Sequence, residues 1–140
     1  MVDKELLSRK ISQLLQYLGE LRKAEDITWE KYNEDIRSRA FVERYLHLCI
    51  EKVIDIGNHL VSFHRWREPE GYRDLFHVLE ENGVIAKKNL ATFQNMAAFR
   101  NMLVHRYEKI DDELVFSIFK KQLDDFDLFI SSVTQWVNRK

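Results

Sequence analysis

An all-α fold, an antiparallel helical bundle of four main helices plus a short helix, is predicted by three features of the sequence. Glycine and proline are scarce, four and one in 140 residues, so the chain lacks the turn punctuation that a sandwich or barrel requires. Leu, Glu, Lys and Arg are plentiful, and these residues lose little rotamer freedom in a helix. Apolar residues recur at spacings of three and four over most of the chain, the period of a helix that buries one face. With 45% hydrophobic and 32% charged residues, the length suffices for one core and is short for two. Residues 1–140 are therefore expected to form a single domain.

The elements follow in order. From Lys4 to Lys23, Leu7, Ile11, Leu14, Leu18 and Leu21 form one narrow apolar stripe and predict the first helix. Ala24 to Ile27 connects, and Thr28 is placed to cap a short turn carrying Trp29 and Tyr32. A long helix from about Asp35 to His64 comes next, with Phe41, Val42, Tyr45, Leu46, Cys49, Val53, Ile56 and Leu60 on a face wide enough for two neighbours. Glu68-Pro69-Glu70-Gly71 is expected to end it, because proline cannot continue the hydrogen-bond ladder. A short helix spans Tyr72 to Glu81, and Asn82-Gly83 reads as a left-handed cap. The following helix opens at Lys87 and Lys88, carries Phe93, Met96, Ala97, Phe99 and Leu103, and should end near Tyr107. Asp111 then caps one final helix reaching Trp136.

Composition narrows the functional classes. Cys49 is the only cysteine, which removes any intrachain disulfide and suits a reducing compartment. The first residues are charged, and no apolar stretch approaches the roughly 18 residues needed to cross a bilayer. A cytoplasmic protein without membrane contact is expected. A formal net charge of −1 argues against a general nucleic-acid coat, which needs a broad basic face. Any RNA contact is then local, and Lys87, Lys88, Arg106 and Lys109 are candidates to steer it, though each equally fits an ordinary solvated helix end.

Chemistry concentrates in Arg100-Asn101-Met102-Leu103-Val104-His105-Arg106-Tyr107. On an ideal helix Arg100 and Tyr107 nearly eclipse, while Asn101 and His105 share an adjoining face. An imidazole moves protons near neutrality, and a guanidinium grips a phosphate at two points and stabilises charge developing on phosphorus. Together they suit RNA transesterification, in which the 2′-hydroxyl attacks the neighbouring phosphorus without any metal. One histidine does not conveniently supply both acid and base. A symmetric homodimer with two copies of Arg100 and His105 at its axis would. The alternative is a surface anion-binding arginine and a helix-end histidine stabilised by the dipole.

Along the long helix, His47, Glu51, Asp55 and His59 form a polar stripe at spacings of four. A di-iron bundle needs a carboxylate-x-x-histidine pair on each of two helices, and Asp74 with His77 is the only such pair. Neither a metal site nor another cofactor is expected. The stripe is either a solvated ridge or a support in which Glu51 or Asp55 orients Arg100 or His105. His64, Trp66 and Arg67 could stack on a base, although an aromatic there more often packs on a neighbouring helix.

An arginine, four residues, a histidine, one residue and a tyrosine, with the polar Asn101 after the arginine, resembles the catalytic signature of HEPN-domain ribonucleases. Arg39 to Leu46 and Ile54 to His59 resemble the matching helix of the HepT-like toxins within that group, as does Gly83-Val84-Ile85 ahead of the catalytic helix. The resemblance implies a homodimeric helical toxin encoded beside a minimal nucleotidyltransferase (MNT) antitoxin and cutting cellular RNA at a site built by both protomers. It also implies silencing by AMP transfer to the motif tyrosine, by position Tyr107. A phenol-linked adenylate would set negative charge beside Arg100 and bulk over the RNA path. The competing expectation is a non-catalytic helical module that binds a nucleotidyltransferase or a nucleotide. Arg100 with His105 discriminates, since pure binding has no use for a proton-transfer group beside a guanidinium.

Overall fold

A computed structural model describes residues 3–105 and 109–139 of the chain, and one long helix, Ile36–His64, lies at its centre. In chain order the elements are α1 (Lys4–Lys23), α2 (Trp29–Glu34), α3 (Ile36–His64), α4 (Tyr72–Glu81), α5 (Leu90–Val104), α6 (Asp112–Lys121) and α7 (Asp124–Asn138). A 3-10 turn, Lys87–Asn89, precedes α5. Among the described residues there is no strand, and all six other α-helices pack on α3. None of these helices is long and apolar enough to cross a membrane.

Local chemistry starts the helices. Asp3, Thr28, Asp35 and Asp111 each accept a hydrogen bond from a first-turn backbone N–H, of Leu6, Lys31, Arg37 and Leu114 respectively, which satisfies donors that the helix itself leaves free. Helix α1 buries Leu7, Leu14, Leu18 and Leu21 and runs antiparallel to α3. Its rungs descend in register: Lys10 with Asp55, Gln13 with Lys52, and Tyr17 edge-on to Tyr45 at 6.1 Å. At its far end Arg22 grips Asp124 and Asp127 at the start of α7. The core is continuous through Leu46, Ile50 and Ile56 of α3 to an aromatic trio of Phe76, Phe93 and Phe129. Cys49 lies within it, and burial pushes its thiol up to about 12.

The long helix ends where expected, but by a different device from the one the sequence suggested. Helix α3 ends at His64, ahead of Pro69, because Arg65 takes the left-handed conformation (φ 55°) and closes the turn. Arg65 N–H donates to the Ser62 carbonyl and Trp66 N–H to that of Val61, the paired reverse bonds of a helix stop. The turn carries Trp66 onto His64, stacked at 4.7 Å, and edge-on to Trp136 of α7 at 5.5 Å. Burial of Trp66 thus compensates the roughly 1–2 kcal/mol that a non-glycine residue loses in that conformation. Trp66 is packing, and Arg67 is engaged too: its guanidinium forks onto Asp74 and Glu81 at 2.8 Å each. That fork holds the Asp74 carboxyl well below the usual carboxylate range.

The final helix is two helices, broken at Gln122 and Leu123. Lys120 and Lys121 close α6, and Asp124, Asp125 and Asp127 open α7, each set of charges matching the helix dipole it adjoins.

Two glycines have contrasting roles. Gly83 (φ +80°) ends α4, with Val84 N–H reaching the Leu79 carbonyl at 2.9 Å. Gly19 sits inside α1, where an added Cβ meets nothing within 4 Å. Gly83→Ala is expected to destabilise the fold by about 1–2 kcal/mol, and Gly19→Ala to stabilise it by about 0.5–1 kcal/mol. Chemical denaturation of the two variants would show midpoints moving in opposite directions. Gly57 permits a close approach instead: a Cβ there would lie 3.1 Å from Leu75 Cδ2 and 3.3 Å from Leu79 Cδ1, so α4 is seated directly on α3.

Candidate active site

Helix α5 buries Phe93, Met96, Ala97 and Phe99 and then presents Arg100 at the gap facing α3 and α4. The Arg100 side chain is only 19% exposed. Its Nε–H donates to Glu51 Oε1 of α3 at 2.6 Å, and Nη1 donates to Asn101 Oδ1 at 3.3 Å. Its guanidinium carbon lies 4.7 Å from the centre of the Tyr72 ring, the first residue of α4. Glu51 Oε1 is shared with His47 Nε2 at 3.3 Å, and Arg44 Nη1 approaches His47 Nδ1 to 3.5 Å. With an arginine donor at Nδ1, the Nε2 proton is the one directed at Glu51.

The two carboxylates considered as supports separate here. Glu51 meets Arg100, whereas Asp55, one turn further along α3, faces α1 and pairs with Lys10 at 2.6 Å and Lys52 at 3.6 Å. The expectation that Asp55 orients Arg100 or His105 is therefore corrected: its charge is spent on the α1–α3 contact. Among the described residues no group of three or more His, Cys, Asp or Glu side chains could hold a metal ion. Asp74 and His77 lie on the Arg67 fork.

The helix ends sooner than its pattern suggests. Val104 is its last residue, and His105 stands in extended backbone (φ −81°, ψ 91°) with its N–H on the Asn101 carbonyl at 3.0 Å. The expectation for Tyr107, that it shares a helix face with Arg100, falls on a residue that, like Arg106, lies outside the described residues. Asn101 contacts both candidates, through its side chain to Arg100 and its backbone to His105. Lys87 and Lys88 belong to the 3-10 turn at the opposite end of α5, about 18 Å from Arg100 along the axis. They do not form a basic neighbourhood with it.

Tyr72 was not a candidate in the sequence. Helical periodicity marks it as an aromatic at a helix start, and nothing local shows that the loop before it returns under Arg100.

A helical bundle that holds a guanidinium by one edge, one helical turn before an imidazole at the helix end, has the equipment of an acid–base site for phosphodiesters. A family model described as ribonuclease HepT-like matches residues 14–133. The chain belongs to this HepT-like family, a family of ribonucleases. It is similar to the tRNA nuclease HepT of Aphanizomenon flos-aquae, 22% identical over 138 residues that cover 97% of this chain and 92% of the relative. It is also similar to the mRNA nuclease HepT of Shewanella oneidensis, 28% identical over 103 residues, 74% of this chain and 77% of that one. The fold matches that of a tri-AMPylated Shewanella oneidensis HEPN toxin solved in complex with an MNT antitoxin. The TM-score is 0.85 at 24% identity, covering 96% of this chain and 99% of the other.

Proposed function

We propose that this chain is the toxin of a toxin–antitoxin pair, a metal-independent endoribonuclease that cuts cellular RNA with Arg100 and His105. The observation that carries the reading is membership of the HepT-like family over a span that contains both residues. In the reaction the ribose 2′-oxygen bonds to phosphorus as the P–O5′ bond breaks, giving a cyclic phosphate and a 5′-hydroxyl. Arg100 binds the phosphate through its Nη edge and stabilises the added charge, and His105 transfers a proton. Two protomers at one axis provide the acid and the base together, so the active species is a homodimer.

Cleavage of transfer and messenger RNA by the purified protein in EDTA tests this. Wild type should cut, and Arg100→Ala and His105→Ala should not. Equal activity in all three would overturn the assignment and favour the non-catalytic module.

Control is assigned to Tyr107 and to a nucleotidyltransferase antitoxin of the MNT type. The phenol oxygen would attack the α-phosphorus of ATP, releasing pyrophosphate and losing its proton to solvent. The support is the position of Tyr107 after His105 and the AMPylated state named for the structural relative. Incubation with the antitoxin and ATP should add the mass of at least one adenylyl group and abolish cleavage. Tyr107→Phe should prevent both changes, and a full mass gain in that variant would exclude Tyr107 as the acceptor.

A further inference from the structure

A guanidinium has five N–H hydrogens in one plane. In Arg100 the Nε hydrogen is committed to Glu51 at 2.6 Å and one Nη1 hydrogen to Asn101 at 3.3 Å. One face lies over the Tyr72 ring at 4.7 Å. These three contacts leave the opposite face and three Nη hydrogens, and a two-point contact with a phosphate needs one from each Nη. The hydrogen bonds to Glu51 and Asn101 hold two points of the guanidinium, and its plane still turns about the line that joins them. A ring against its face stops that rotation, and the negative face of the aromatic attracts the cation.

We propose that Tyr72 is a positioning residue of the ribonuclease site, its ring setting the plane of the Arg100 guanidinium so that the free Nη hydrogens meet the scissile phosphate. This rests on the reading of Arg100 as the phosphate-binding group. Helix α4 is built to hold such a platform. Gly57 lets Leu75 and Leu79 seat on α3, and the Arg67 fork onto Asp74 and Glu81 ties down the preceding loop. Gln94 of α5 donates to the Arg73 carbonyl at 3.2 Å, and Phe76 packs 6.0 Å from Phe93. The ring beneath Arg100 is thus fixed to the same helix that carries Arg100. Hydrogen bonding by the Tyr72 hydroxyl is no part of this role, so phenylalanine should replace it.

The test is steady-state RNA cleavage by the full chain carrying Tyr72→Phe, Tyr72→Leu or Tyr72→Met, in wild-type and Arg100→Lys backgrounds. The phenylalanine variant should stay within about threefold of wild type. The leucine and methionine variants should lose about tenfold or more in kcat with KM little changed, the loss expected when an oriented cation is misaligned in the transition state. In the Arg100→Lys background the leucine substitution should cost no further activity, because an ammonium group has no plane to set. A damaged fold would reduce activity in both backgrounds, and that result would overturn the proposal. So would wild-type kinetics in both Tyr72→Leu and Tyr72→Met while His105→Ala is inactive, an outcome that leaves the ribonuclease reading intact. If His105→Ala cleaves as well as wild type, the reading of the site fails and the role of Tyr72 fails with it.

Discussion

Arg100→Ala is expected to slow RNA cleavage by about a thousandfold and His105→Ala by about a hundred- to a ten-thousandfold, measured as kcat/KM on a defined RNA in EDTA. In the proposed reaction the planar donors of Arg100 would meet the phosphate oxygens as charge accumulates on them, and His105 would move the proton. The fold should survive. Glu51, the ion-pair partner of Arg100, is 39% exposed, so water rehydrates its carboxylate when the guanidinium is removed and no charge is left buried without a partner. Near-wild-type melting with lost cleavage would place Arg100 in the chemistry. Equal loss of both would mean that it is a structural arginine.

Phe129→Ala should have the largest effect on stability, about 3–5 kcal/mol, a shift of roughly 10–20 °C in Tm. Phe129 is fully buried on α7 and meets Phe93 of α5 edge-on at 5.5 Å and Phe76 of α4 edge-on at 6.3 Å. Truncation removes apolar burial, opens a cavity and deletes both ring contacts. Total stability of a chain of this size is on the order of 5–15 kcal/mol, so much of it would be lost. Leu15→Ala provides the contrast, since Leu15 is 47% exposed and such surface changes stay within about 0.5 kcal/mol. A melt in which the two variants coincide would contradict a core centred on Phe76, Phe93 and Phe129.

Features governed by neighbours in sequence were legible. Thr28 caps α2, α4 spans Tyr72–Glu81, and Gly83 adopts a positive φ, each a local matter of capping or backbone freedom. Arg100 and His105 stood out by chemical type. Features that depend on distant partners were not legible. The end of α3 at His64 was legible but its cause was not: the left-handed Arg65 turn carries Trp66 to Trp136 across the bundle, while Pro69, the stronger local signal, lies beyond the end. The break between α6 and α7 did have a local trace, Lys120-Lys121 followed by Asp124-Asp125, but unbroken apolar periodicity outweighed it. Glu51 and Asp55 differ by one helical turn, which is enough to send one to Arg100 and the other to Lys10. Periodicity shows that they share a stripe, and only the packing of α1 and α5 decides their partners.

The absent side chain at Gly57 makes three positions on two helices behave as one. A Cβ added there requires Leu75 or Leu79 to give by a few tenths of an ångström, and a smaller residue at either would leave a void unless position 57 grows to fill it. Volume at these positions is therefore exchangeable but not independently variable. Because α4 begins at Tyr72, the packing volume at these three positions also sets how closely the helix that carries the ring under Arg100 approaches α3.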